Sequence, residues 1–189
     1  MQTDDELIFE IRLGIQSAME ALIKRHYKTV FSYIYRNLGE YHISYDLTQE
    51  SFVKMIRNIH SYSGKGSFQH WLLKIALNAC RDYYKSRAYK TGNQSDPLDE
   101  SHIEKNTKVV EWIEEKMEMT RIRNAIMELP SYQREAIILR FFHDFKIKKI
   151  AEITSSGEAT VKSRIMQGLS KLKVILNREK EHEEKGRRL

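Results

Sequence analysis

Apolar positions recur three and four residues apart along most of this chain, and no run of alternating β-branched residues suggests a strand. The pattern predicts a helix from residue 4 or 5 to about 13, ended near Gly14. A longer helix is expected over 17–38, carrying Leu22, Ile23, Tyr27, Val30, Phe31, Ile34 and Leu38, with Gly39 placed to close it. Further helices are expected over 44–59 and 68–88. Between these two lies a loop, Ser61-Tyr62-Ser63-Gly64-Lys65-Gly66-Ser67, whose glycines and serines suit mobility or the close approach of a partner. Residues 91–97 have linker composition, and a short helix is expected over 109–119. A last domain begins near Thr120. Leu129-Pro130-Ser131 marks a helix stop and start with Ser131 as N-cap, followed by a helix over 133–142. From Arg178 the apolar periodicity stops, so the tail is expected to fray. The class is all-α: two small helical domains joined by a flexible acidic linker, with boundaries at 1–90, 91–119, 120–177 and a charged tail of 178–189.

The segment from Ile147 to Leu172 is the most informative. Ile147, Ile150 and Ala151 give one short helix an apolar stripe; Thr154, Ser155, Ser156 and Gly157 break it; Glu158 suits the positive end of the next helix. In that second helix Val161, Ile165, Leu169 and Leu172 share one side. Ser163 and Gln167 point the opposite way, with Thr160 and Met166 beside them and Lys162 and Arg164 on the flanks. A hydroxyl and an amide can read base edges while flanking cations hold phosphates, which is the helix-turn-helix plan for duplex DNA. Two helices around a Ser/Gly turn also occur in proteins that bind no DNA.

Charge favours the nucleic-acid reading. The net charge is +6, unevenly spread. Residues 1–92 carry 13 Lys and Arg against 9 Asp and Glu, residues 93–120 carry 3 against 8, and residues 121–189 carry 16 against 9. Two basic blocks flank an acidic one, as expected for two nucleic-acid-facing units and a different connector. The single cysteine, Cys80, lies in an apolar-periodic segment and reads as a small core residue. The acidic start, MQTDDELIFE, lacks a signal-peptide pattern, and no apolar run approaches the ~20 residues of a membrane span. A cytoplasmic protein without membrane insertion is expected. The seven histidines show no i, i+4 pairing and keep no cysteine company, and neither a P-loop nor a nucleophile motif is present, so no metal, cofactor, small-molecule substrate or catalysis is expected.

Three blocks of sequence carry a family resemblance. Asp46-Leu47-Thr48-Gln49-Glu50-Ser51-Phe52 resembles the D-L-x-Q-E-x-F signature of bacterial sigma factors of the sigma-70 family. Phe68-Gln69-His70-Trp71-Leu72-Leu73-Lys74-Ile75-Ala76-Leu77-Asn78 is similar to that family's F-x-x-W-L-x-x-I-A-x-N. Leu129-Pro130, Arg134, Ile150-Ala151 and Thr160-Val161-Lys162-Ser163-Arg164 resemble its L-P…R…E-I-A…G-T-V-K-S-R. With these two domains and a short linker, the chain resembles the extracytoplasmic-function (ECF) branch.

The resemblance implies a region 2 helical bundle and a region 4 helix-turn-helix, with RNA polymerase core (the β′ clamp and β subunits), promoter DNA and an anti-sigma factor as partners. Asp46, Gln49 and Glu50 would dock on the β′ coiled coil, with Phe52 packed inside. Tyr62, Lys65, Phe68, Asn78, Arg81, Lys85 and Arg87 would hold the single-stranded minus-ten element: Asn78 reads a base, the cations hold phosphates, and Tyr62 and Phe68 are stacking candidates. Trp71 is expected in the core, and Tyr33, Tyr35 and Tyr45 partly exposed. The acidic linker would follow the RNA exit path. Thr160, Lys162, Ser163, Arg164 and Gln167 would read the minus-thirty-five duplex. The chain departs from the family pattern at Lys149 (usually Glu), Ala159 (usually Gly) and Gln167-Gly168-Leu169 (commonly R-A-R), which leaves its minus-thirty-five preference open. A stand-alone helix-turn-helix regulator is the competing function. A nucleic-acid enzyme would need a third carboxylate beside Asp46 and Glu50, and none is near in sequence.

Overall fold

The computed structural model describes residues 2–64, 66–90 and 120–186, with side chains through 87 in the first part and through 178 in the second. The expectations for Lys65, for the acidic linker and for a helix over 109–119 lie outside the described residues. The described chain is a succession of helices: α1 (Asp4–Arg12), α2 (Gln16–Leu38), α3 (Tyr41–Asn58), a 3-10 turn (Ile59–Ser61), α4 (Phe68–Lys90), α5 (120–127), α6 (Ser131–Phe141), α7 (Ile147–Thr154) and α8 (Glu158–Gly186).

Local chemistry sets most of the ends. Thr3 and Glu6 cap α1 reciprocally: the Thr3 hydroxyl accepts from the Glu6 N–H, and the Glu6 carboxylate accepts from the Thr3 N–H at 2.6 Å. Gly39 ends α2 with φ +77°, and a side chain there would also press on the Met127 thioether at 3.3 Å. The Glu40 carboxylate caps α3 by accepting from the N–H groups of His42 and Ile43, so α3 begins at Tyr41, three residues before the expected start. Ser131 is not an N-cap: Pro130 holds that position, no side chain caps α6, and Ser131 is its first helical residue. The charged tail does not fray at Arg178, because helix α8 continues to Gly186. Glu, Lys and Arg are strong helix formers and sustain it without an apolar stripe.

The N-terminal helices α1 to α4 bury Leu7, Ile8, Leu22, Val30, Ile34, Met55, Leu72, Leu73 and Leu77 in one core. Each such side chain contributes about 1.5–3 kcal/mol by leaving water. Cys80 joins this core, and burial pushes its thiol up to about 12, as befits an inert packing residue. Tyr33 is completely buried rather than partly exposed, and Tyr45 is exposed. Trp71 is half-buried against Tyr62 and Phe68.

Helix α6 joins the two halves. Residues Gln133 to Leu139 are buried on every side, because α2 packs on one face and α7 and α8 on the others. Its buried charges are paired through most of their polar atoms, although Arg134 Nε is buried without a partner. The Arg134 guanidinium donates to the carbonyls of Asn37 (2.6 Å), Met127 (2.9 Å) and Leu129 (2.9 Å) and to the Tyr84 hydroxyl (2.7 Å). Tyr84 in turn donates to the Asn37 carbonyl at 2.6 Å. Such satisfaction offsets the cost of removing a guanidinium from water. Helix α7 also contacts α4, and in the loop just before α7 the Phe145 ring meets His70 of α4 at 4.8 Å between centroids.

Candidate nucleic-acid interface

Helix α3 separates its two faces cleanly. Leu47, Thr48, Ser51, Phe52 and Met55 are buried, and the hydroxyls of Thr48 and Ser51 are satisfied by carbonyls one turn back, at 2.6 and 2.7 Å. Asp46, Gln49 and Glu50 are exposed together on the opposite face. Glu50 makes a 2.7 Å ion pair with Lys54 one turn on. The half-buried aromatic column of Tyr27, Phe31 and Tyr35 on α2 borders this face, with Tyr27 stacked 6.1 Å from Phe52.

The loop before α4 is built differently from the expectation. Tyr62 is 6% exposed and Phe68 2% exposed, so neither offers a ring face to a base. Their rings meet edge to face at 5.5 Å, and Trp71 closes the cluster. The Tyr62 hydroxyl donates to the Gly66 carbonyl at 2.8 Å, while burial, with Asp5 and Asp4 nearby, raises its pKa. These two aromatics therefore support the loop from beneath instead of stacking on a strand. Arg12 on α1 completes the support by donating to the carbonyls of Ile59 and Tyr62. Arg12 carried no signal in the sequence, because nothing local shows that α1 lies under this loop.

Helix α4 continues from the loop with an exposed stripe. Lys74, Asn78 and Lys85 are exposed, Arg87 is also exposed, and Arg81 is half-buried. The Arg81 side chain faces α6 and its guanidinium is engaged by Glu135, so it is not a free phosphate ligand in this arrangement. Lys74, which lies one turn before Asn78, was missed in the sequence although its spacing places it on the same face.

Helices α7 and α8 form the expected pair around a tight turn. Ser155 adopts the left-handed conformation at φ +53°, and the Ser156 N–H returns to the Ala151 carbonyl at 3.0 Å. Thr154 belongs to α7 rather than to the break: it is buried and donates to the Ile150 carbonyl at 2.8 Å. Val161 is fully buried and Ile165 and Leu172 pack partly against the core, whereas Leu169 is 44% exposed. Thr160, Lys162, Ser163 and Gln167 are exposed. Tyr132, Ala159, Thr160, Ser163, Arg164 and Gln167 line a shallow open groove. Arg164 donates to the Ser156 hydroxyl at 2.9 Å and lies 5.6 Å from the Tyr132 ring centre, so the turn and α6 both hold it. Gly168, unexplained by sequence, marks the close approach of α8 to α6: a Cβ there would fall 3.0 Å from Ile137 Cγ1.

The family model for Sigma-70 region 2 matches residues 22–89, and that for Sigma-70 region 4 matches residues 119–172. The chain belongs to the sigma-70 family, in its ECF branch. This sigma factor is 29% identical over 172 residues to the ECF RNA polymerase sigma-E factor of Haemophilus influenzae, covering 87% of this chain and 90% of that one. It is 29% identical over 153 residues to the RNA polymerase sigma factor SigV of Bacillus subtilis, covering 81% and 85%. Two solved structures share the fold. The sigma factor RpoE, in complex with the anti-sigma factor NepR from Bartonella quintana, gives a TM-score of 0.70 at 19% identity, covering 84% of this chain and 96% of that one. CnrH, in complex with the cytosolic domain of CnrY, gives 0.68 at 21%, covering 92% and 97%. The chain is thus an RNA polymerase sigma factor of the ECF type, and the stand-alone regulator is the weaker reading. No helix among the described residues is long and apolar enough to cross a membrane.

Proposed function

We propose that this sigma factor acts without catalysis or cofactor, in the cytoplasm, by giving RNA polymerase core its promoter preference. In this reading the domains divide near 1–90 and 120–177, joined by the linker of 91–119. Asp46, Gln49 and Glu50 dock on the β′ coiled coil. Asn78, with Lys74, Lys85 and Arg87 around it, holds the opened minus-ten strand, and Arg81 joins them once freed from Glu135. Thr160, Lys162, Ser163, Arg164 and Gln167 meet the minus-thirty-five duplex. An anti-sigma factor is the natural further partner.

The observation that carries this reading is the packing of α6 against α2 together with the Arg81–Glu135 pair. The two promoter elements lie about 25 base pairs apart, on the order of 85 Å of duplex at 3.4 Å per pair. Two domains in contact cannot reach both. A chain built this way needs another surface to hold its domains apart, which a stand-alone regulator does not. The test is promoter binding with and without core polymerase. The free chain should bind a promoter duplex weakly, and the holoenzyme should bind it at least ~100-fold more tightly, about 2.8 kcal/mol. Equal binding by the free chain would favour the stand-alone regulator.

A further inference from the structure

Gln133 lies in the first turn of α6 and is 2% exposed. Its Nε2 donates to Gln167 Oε1 at 3.1 Å, and Gln167 Nε2 donates to Ser163 Oγ at 3.1 Å. A buried amide is thereby connected through an exposed one to a hydroxyl on the rim of the α8 groove. Gly168 brings the helices close enough for this contact, since a Cβ at that position would also lie 3.6 Å from Gln133 Cβ.

The direction of this chain of bonds has a consequence. A primary amide donates from one end and accepts at the other. Gln133 donates to Gln167 while its own Oε1 is buried without a partner, and in this arrangement the Gln167 oxygen turns inward and the Gln167 nitrogen toward Ser163. Ser163 Oγ then accepts from Gln167, and its one proton is left for a partner in the groove. An outward hydroxyl donor suits base edges that accept in the major groove, guanine O6, thymine O4 or a purine N7, and disfavours the cytosine N4 amino group.

We propose that Gln133 is a positioning residue for promoter selection: through Gln167 it fixes Ser163 as a hydrogen-bond donor to one base of the minus-thirty-five element. This rests on the reading of the α8 groove as the duplex-binding face.

The test is transcription by the reconstituted holoenzyme from a library of promoters randomised across the minus-thirty-five element. The variants are Gln133→Leu, Gln167→Met and Ser163→Ala, each checked by thermal melting and core pull-down. The parent should prefer guanine or thymine over cytosine at one position on the order of tenfold. All three variants should lower that preference to about twofold or less at the same position, leaving selection elsewhere unchanged. A merely structural role for Gln133 would weaken all promoters alike without changing the preference. If Ser163→Ala changes one position while Gln133→Leu does not, the positioning role is overturned and the groove reading survives, whatever Gln167→Met does. If no variant changes any position, the groove reading fails and takes the proposal with it. Should Gln133→Leu not fold, Gln133→Met takes its place, because it keeps the length of the side chain without its amide: an unchanged preference in that variant, beside a changed one in Ser163→Ala, overturns the relay.

Discussion

Arg81 and Glu135 are 54 residues apart in sequence and meet in a two-bonded ion pair, Nε to Oε1 at 3.0 Å and Nη2 to Oε2 at 2.7 Å. Glu135 is buried, and Arg81 is about one-third exposed. The hydrogen bond and charge of Glu135 raise the Arg81 pKa, so the cation is held firmly. Removing Arg81 leaves a buried carboxylate without its partner, a loss on the order of 3–5 kcal/mol. Arg81→Ala should therefore shift the chain from packed domains to separated ones. Energy transfer between dyes on α3 and α8 would report this as lower efficiency. Unchanged efficiency in a variant with a normal far-ultraviolet spectrum would refute it.

The α3 face predicts a separable effect on assembly. Asp46, Gln49 and Glu50 are exposed, and Gln49 makes a side-chain hydrogen bond to the half-buried Tyr27 of α2. The Glu50–Lys54 pair is exposed and worth about 0–1 kcal/mol, so losing it should barely affect folding. Gln49→Ala with Glu50→Arg should keep the melting temperature and lower core affinity on the order of tenfold, about 1.4 kcal/mol. A quantitative pull-down showing parental affinity would remove this face from the interface.

Asn78 offers its amide from the exposed side of α4, away from the core formed by Leu73, Leu77 and Cys80. Asn78→Ala should leave core binding intact and reduce promoter opening on the order of tenfold, the worth of a good polar contact to a base. Permanganate reactivity of unpaired thymines measures the bubble directly. An equally reactive bubble with the variant holoenzyme would mean that Asn78 does not read the strand.

These expectations were legible in sequence to different degrees, for physical reasons. Helix identity follows from apolar spacing, so α2, α3 and the α7–α8 pair were readable, as was the Gly39 stop. The outward positions of Gln49, Ser163 and Gln167 follow from the same periodicity. Tyr62 and Phe68 misled because a Gly/Ser loop suggests exposure, whereas their burial depends on the loop's own fold-back through Gly66 and on the support of Arg12. Arg81 reads as one more cation in a basic run, since its partner belongs to the other half of the chain. Gln133 and Gly168 are ordinary helix residues in sequence. Their meaning appears only where α6 and α8 touch.

Gly168 makes an opposite prediction to its helix propensity. Replacing a mid-helix glycine by alanine normally stabilises by about 1 kcal/mol. Here the new methyl would meet Ile137 Cγ1 at 3.0 Å, inside a buried and stiff β-branched side chain. Overpacking of this kind costs about 1–3 kcal/mol. Gly168→Ala should therefore destabilise by about 1 kcal/mol in urea unfolding, and adding Ile137→Val should recover part of it. A more stable single variant would show that the two helices separate without penalty.

His143 makes stability depend on pH. It lies in the α6–α7 loop, edge-on to Tyr33 of α2 at 5.7 Å and stacked 6.1 Å from Phe145. Its Nε2 is buried without a hydrogen-bond partner. Burial first, and then the positive Arg36 of α2, lower its pKa from 6.5 to about 4. The facing phenol of Tyr33 is pushed further up by its own burial and stays neutral. Across the seam, burial and Lys149 also lower His70. Between pH 6.5 and about 4 the unfolded chain therefore binds a proton at residue 143 that the folded chain refuses. The stabilising contribution is complete above the unfolded value and is lost as pH falls through that window. His143→Phe keeps an aromatic ring against Tyr33 and Phe145 but cannot take a proton. Its urea midpoint should fall less than the parent's between pH 7.5 and 5, with the remaining fall owed in part to His70. Parallel pH profiles for parent and variant would show that His143 is protonated at no cost to the fold.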